Sequence, residues 1–165
     1  MNLYLKITGA VLLVLSTTFC GFMLSVRLKS RCKFLLAFQD FLCTLETNIR
    51  YNTDDIIRLI EKSAINPMLS VFSGTKHSDF SNYWQKAITS IPQSYGLKND
   101  DITVLENFGK ALGTTDVEGQ LNHIELYKNI LNSQLIKSKE EYKEKSKLYK
   151  VLGFFTGSII AIMFI

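Results

Sequence analysis

Residues 7–26 read ITGAVLLVLSTTFCGFMLSV, twenty positions without a charge. Wound as an α-helix they reach about 30 Å, the thickness of a bilayer's hydrocarbon core. A second uncharged run, VLGFFTGSIIAIMFI, fills residues 151–165. As a helix it is about 22 Å long, short for a full crossing, and Leu148, Tyr149 and a snorkelling Lys150 lengthen it. The sequence therefore predicts a transmembrane helix within residues 1–26 and a second membrane helix, or a half-inserted anchor, at 151–165. A cleaved signal peptide is the weaker reading of the first run. Its apolar stretch is too long and it lacks an A-x-A site, while Phe19 stands where a lipoprotein site at Cys20 needs a small residue.

Charge is arranged around these two runs. Only Lys6 precedes the first, whereas Arg27, Lys29, Arg31 and Lys33 follow it. Lys137, Lys139, Lys143, Lys145, Lys147 and Lys150 precede the second, against Glu140, Glu141 and Glu144. Basic flanks at both ends of the middle region place residues 27–150 in the cytoplasm and both termini outside, by the positive-inside rule. Reduced thiols at Cys32 and Cys43 suit that compartment. Between the flanks, residues 34–136 hold eight Lys/Arg and twelve Asp/Glu, a net of −4. An acidic body is a poor nucleic-acid binder, and the flanking cations fit anionic lipid headgroups better. With 47% hydrophobic residues, two prolines and nine glycines, the chain is neither disordered nor collagen-like. Three cysteines, an odd number with no C-x-x-C pair, argue against a disulfide framework or a zinc site.

The middle region reads as helical throughout. Leu35, Leu36, Phe38, Phe41, Leu42, Leu45 and Ile49 recur at threes and fours, which predicts one amphipathic helix continuing from the first span to about Tyr51. Asn52 or Thr53 is read as the cap of a second helix, with Asp54 and Asp55 in its first turn. Asn66-Pro67 opens a short third piece to Phe72, ended at Ser73-Gly74. Ser78 or Asp79 caps a fourth, carrying Phe80, Tyr83, Trp84, Ala87, Ile88 and Ile91 and stopped at Pro92. Asn99 caps a fifth, which Gly113 ends. Thr115-x-x-Glu118 has capping-box spacing and opens a helix of some 48 residues, running into the second apolar run. Along it, Val117, Leu121, Ile124, Lys128, Leu131, Leu135, Ser138, Tyr142, Lys145, Tyr149 and Leu152 form a seam, read as core contact in its first half and as a wet stalk in its second. No stretch alternates with a period of two, so no sheet is expected. The predicted architecture is all-α: a cytoplasmic bundle of about five to six helices (residues 27–150) between two membrane helices, with Trp84, Phe108, Leu112, Leu121 and Ile124 in one core.

No catalytic constellation is evident. No P-loop, G-x-S-x-G or H-E-x-x-H motif occurs. His77 and His123 lack neighbours at metal-ligand spacing and read as structural. Asp54-Asp55 and Asp100-Asp101 sit at predicted helix starts, where the helix dipole alone accounts for them. Gly109-x-x-x-Gly113 reads as a close helix neighbour or a helix C-cap. Thr17, Gly21 and Ser25 on the first apolar run, and Gly153, Gly157 and Ala161 on the second, form ridges of small residues that suit helix packing in lipid, within one chain or between chains.

Glu106-Asn107-Phe108-Gly109-Lys110-Ala111-Leu112-Gly113, followed by Asp116 and Gln120, resembles the signature of the stage III sporulation protein AB family. The resemblance extends to Lys6, Gly9, Gly21 and Arg31, to Leu45-Glu46-Thr47-Asn48-Ile49-Arg50-Tyr51, and to Tyr149, Leu152-Gly153 and Gly157. It covers essentially the whole chain. It implies a component of the channel-like complex joining mother cell and forespore in endospore formation, lying in the mother-cell membrane that faces the forespore. The family is similar to the helical domains of type II secretion and type IV pilus platform proteins. The implied partners are a secretion-ATPase-like protein of the same complex, its other channel components and, because one such domain is too few for a platform, further copies of the chain.

On this reading the protein is a non-enzymatic platform without cofactor or metal. A purely structural tether or assembly factor that touches no ATPase is the alternative, and a subunit of a membrane sensor or enzyme a remote one. The residues expected to serve structure or partner contact are Glu46, Tyr51, Phe108, Gly109, Gly113, Asp116 and Gln120, with Gly21, Gly153 and Gly157 for membrane-helix packing. Two roles compete for the segment from Phe108 to Gln120. It is a well-made helix–helix turn, or a turn that also presents Asp116 and Gln120, one helical turn apart, to a partner.

Overall fold

The computed structural model describes residues 3–52, 54–73 and 80–164. Among them lie five α-helices, two short 3-10 turns and no strand. Helix α1, Leu3–Tyr51, runs 49 residues without a break. Helix α2 (Ile56–Ser63), a 3-10 turn (Pro67–Phe72), α3 (Phe80–Thr89), a second 3-10 turn (Gln93–Tyr95) and α4 (Asn99–Ala111) follow. Helix α5, Val117–Phe164, closes the chain with 48 residues. The chain forms two compact units: Arg31–Lys137, and Met1–Ser30 with Ser138–Ile165.

Helix ends are set by local hydrogen bonding, and several differ from the sequence reading. Asn66 caps the first 3-10 turn as expected, its Oδ1 accepting from the Met68 N–H at 3.0 Å. Asn99, expected as a cap, is the first residue of α4. The cap position belongs to Lys98, whose N–H donates to Asp101 Oδ2 at 2.8 Å, so the carboxylate caps from within the helix. Asp54 and Asp55 precede α2 instead of filling its first turn, and Asp54 pairs with Lys62. The box at Thr115 and Glu118 is off by one residue. Asp116 caps α5, with Oδ1 accepting from the Gly119 N–H at 3.0 Å, and Gly119 has no side chain to return the bond. Thr53, Gly74, His77, Ser78 and Asp79 lie outside the described residues.

The larger unit buries an aromatic cluster. Phe34, Phe38, Phe41, Phe72, Trp84 and Phe108 are all essentially inaccessible. Phe38 stands 5.9 Å from Phe72 and 6.0 Å from Phe108, centroid to centroid, and Phe72 lies 4.7 Å from Trp84. These are the offset and edge-on spacings that ring quadrupoles favour. The polar atoms brought in with the rings are bonded. Trp84 Nε1 donates to the Leu105 carbonyl at 2.8 Å, and the Tyr83 hydroxyl donates to the Phe72 carbonyl. Burial, aided by nearby Glu61, pushes the Tyr83 phenol up to about 12. From α5 the core takes Ile124, Leu131 and Leu135, while Leu121 packs against its edge half-buried.

Arg31 departs from the expectation for the basic flank. Its Nε and Nη2 donate to Asp101 Oδ2 and Oδ1 at 2.7 and 2.9 Å, with side-chain exposures of 4% and 0%. A guanidinium fits a carboxylate in two parallel bonds and is less strongly hydrated than an ammonium, so it enters an ion pair where lysine would stay in water.

In the smaller unit the two helices pack antiparallel through their small residues. A Cβ built on Gly21 would fall on the Tyr149 carbonyl and lie 3.2 Å from Gly153 Cα. One on Gly153 would lie 2.7 Å from the Thr17 carbonyl, and one on Gly157 2.9 Å from Val14 Cα. Only glycine permits so close an approach of backbones. The outward faces carry Leu12, Leu15, Phe19, Phe155, Ile159 and Ile162, all exposed. Helices α1 and α5 each contain an 18-residue stretch apolar enough to cross a membrane, of mean hydropathy 2.0 and 1.2, and 6% and 11% of those stretches are buried within the protein. Apolar surface on this scale calls for lipid around it. The chain is located in a membrane.

Candidate partner-contact site

The segment from Phe108 to Gln120 is a turn built from its own residues. Helix α4 ends with Leu112 buried in the core, and Gly113 then adopts φ +82°, a left-handed conformation open to glycine at little cost. The Gly113 N–H, freed from the helix, donates to Gln120 Oε1 at 3.0 Å. Gln120 Nε2 in turn donates to the Thr115 carbonyl at 3.3 Å. Gln120 is 5% exposed. Its amide therefore faces inward and staples the turn. Asp116 is exposed and caps α5. The amide matches the two orphan backbone groups that a helix–helix turn leaves, one donor and one acceptor.

Phe108 and Gly109 belong to the core beneath this turn. The Phe108 ring stacks on His123 with centroids 5.4 Å apart and meets Tyr127 edge-on at the same distance. His123 Nε2 donates to the Phe108 carbonyl at 2.9 Å, a structural use of the ring. Burial raises the Tyr127 phenol. Gly109 lies under the Trp84 indole, where a Cβ would collide with three ring atoms. The Gly109-x-x-x-Gly113 spacing thus combines both structural readings, a close helix neighbour at the first glycine and a C-cap at the second.

Glu46 ties α1 to α5. It accepts from Lys128 at 2.8 Å and from Arg50 at 3.4 Å. The Lys128 hydrogen bond holds the Glu46 carboxyl below its ordinary value, and the same bond raises Lys128. One helical turn further on, α1 ends at Tyr51, which is 77% exposed. Tyr51 lines a groove of about 420 Å³ with Ile49, Ile56, Gly113, Val117 and Gln120. Val117, the first residue of α5, is 57% exposed. The groove lies at the end of the larger unit away from Arg31 and Lys137.

Of the seven residues singled out from the sequence, the structure brings Tyr51, Gly113 and Gln120 to one groove and sets Asp116 beside it. It keeps Glu46 on the α1–α5 seam and Phe108 and Gly109 in the core. Two features escape the sequence reading. Arg31 and Asp101 are 70 positions apart, and each has a sufficient local explanation, as a basic flank and as a dipole-pairing acid. Val117 reads as the first apolar position of a buried seam, yet the helix start leaves it in the open. Among the described residues no group of three or more His, Cys, Asp or Glu is placed to hold a metal ion.

The family model described as stage III sporulation protein AB matches residues 6–165. Stage III sporulation protein AB of Bacillus subtilis (strain 168) is 27% identical to this chain over 168 residues, covering 96% of this chain and 98% of the relative. No solved structure matches.

Proposed function

The chain belongs to the stage III sporulation protein AB family, with a role in sporulation, and from that premise we propose that it is a non-enzymatic platform in the channel complex between mother cell and forespore. The helical body faces the cytoplasm of the mother cell and engages the secretion-ATPase-like protein of that complex. The groove between Tyr51 and Val117 is the contact surface. The observation that carries this reading is how the signature residues are used. Gly113 and Gln120 line the groove and are bonded to each other, and Phe108 and Gly109 pack in the core beneath their turn, so these residues together hold the groove's shape. Exposed Tyr51 and Val117 supply the apolar and aromatic surface that contact sites favour. Self-association through the membrane helices supplies the further domains that a platform needs.

The test is co-purification of the full-length protein with the ATPase from detergent-solubilised membranes, with and without nucleotide. Val117→Lys changes an exposed side chain and leaves the fold intact. The expected result is capture by the native chain, and at least tenfold weaker capture by Val117→Lys with an unchanged unfolding midpoint. Equal capture by both removes the groove from the interface. No capture by either leaves the tether reading in its place.

A further inference from the structure

Below the second apolar run, α5 carries Lys139, Lys143, Lys147 and Lys150, all exposed. Their spacing of four, four and three confines them to an arc of about 80° at 100° per residue. Of the acidic residues in the same stretch, Glu140 and Glu144 lie beside one edge of the arc, about 20° and 60° from Lys147. Glu141 pairs with Lys145 at 2.9 Å on another face. Like charges at i,i+4 oppose each other along a helix, and Glu140 and Glu144, three positions before Lys143 and Lys147, offset part of that repulsion. The small residues of the unit place Gly21 against Gly153, which sets Arg27 and Lys29 of α1 level with the stretch around Lys143 and Lys147. Both are exposed as well. Arg31, the next cation after Lys29 along α1, pairs with Asp101.

We propose that Lys143, Lys147 and Lys150, with Arg27 and Lys29 at the same level, form a binding surface for the headgroups of anionic phospholipids. Distance selects these lysines from the stripe. Lys150, Lys147 and Lys143 stand about 2, 6 and 12 Å along the helix from Val151, where the uncharged run begins. Lys139 stands about 18 Å away. The headgroup layer reaches some 5–7 Å beyond the hydrocarbon, and its field decays over a Debye length of about 8–10 Å. The first three are within that reach, and Lys139 is at its limit or past it. An acidic protein laid along the stripe would use all four alike. Lys150 also lies over the Phe22 ring, 5.8 Å from its centroid, which holds the ammonium close to the unit's surface. The inference rests on membrane insertion and is independent of the ATPase contact.

The experiment measures binding of phosphatidylglycerol and phosphatidylcholine to the full-length protein in neutral detergent by native mass spectrometry. The native chain prefers phosphatidylglycerol. Cations near an anionic surface contribute several-fold each, so three supply up to about a hundredfold. Lys143→Gln/Lys147→Gln/Lys150→Gln lowers that preference at least tenfold, and the same three positions as arginine retain it. Lys139→Gln changes it less than twofold. A triple glutamine variant with native preference overturns the proposal. So does a loss at Lys139→Gln equal to that at Lys143→Gln, which would assign the stripe to an acidic protein.

Discussion

Gln120 shows how a side chain's use follows from its two hydrogen bonds. Each end of its amide meets a backbone group that the turn leaves unpaired, and the residue is buried. Truncation strands the Gly113 N–H, so Gln120→Ala is expected to lower stability by about 1–3 kcal/mol. A lowered midpoint in thermal unfolding of the detergent-solubilised chain checks this, and an unmoved midpoint would return Gln120 to the surface. Glu46 makes a pH-dependent contribution. Its carboxyl is held below the ordinary 4.5 by Lys128, so the pair's stabilisation is present above that value and is lost as pH falls through the lower folded-state value. Lys128 is raised, so the opposite limit lies at alkaline pH, above its ordinary 10.5. Partial exposure and solvent screening keep the contribution to about 0.5–1 kcal/mol. Glu46→Gln is expected to cost that much at pH 7, and the gap should close as pH drops below 4.5. A gap unchanged in acid would show that the salt link contributes nothing.

Helix α1 was legible in the sequence because one pattern runs through it, an uncharged run passing into apolar residues at threes and fours. Helix α5 was legible for the same reason, and Gly113 marked the turn before it. What the sequence left obscure depends on contacts between elements or on a shift of one residue. Asn99 and Lys98 differ by one position, and the choice between them is made by Asp101, whose carboxylate accepts from the Lys98 N–H. The Asp101 carboxylate is aimed by Arg31 of α1, a partner no local pattern reveals. Gln120 stood open between building the turn and facing a partner, because its two backbone partners, the Gly113 N–H and the Thr115 carbonyl, are fixed only by the turn's geometry. The Arg31–Asp101 link joins the first helix of the larger unit to its fourth, with both charges out of water. Removing one partner leaves the other uncompensated, so Arg31→Ala is expected to destabilise by about 3–5 kcal/mol. Arg31→Met with Asp101→Leu should recover part of that loss, because an apolar pair of similar volume avoids the desolvation cost, less about 1 kcal/mol for the Lys98 N–H bond that Asp101 also supplies. If the double variant unfolds as readily as Arg31→Ala, the stranded carboxylate is not the main cost.

Across the molecule, two exposed apolar helices and a larger helical unit agree with a membrane protein of the stage III sporulation protein AB family. The proposed orientation rests on the basic flanks. A reporter active only outside the membrane is expected to be silent when fused at Ser94 and active when fused after Ile165, and reversed signals would move the body out of the cytoplasm. Contact with the ATPase is the claim on which the functional account turns, and photo-crosslinking in sporulating cells tests it most directly. A photoreactive residue replaces Val117 at the groove or, as a comparison, Leu126, which is 56% exposed away from the groove lining. The account predicts an adduct with the ATPase at position 117 and none at position 126. Absence of the ATPase adduct at position 117 in a chain that still supports sporulation would contradict it.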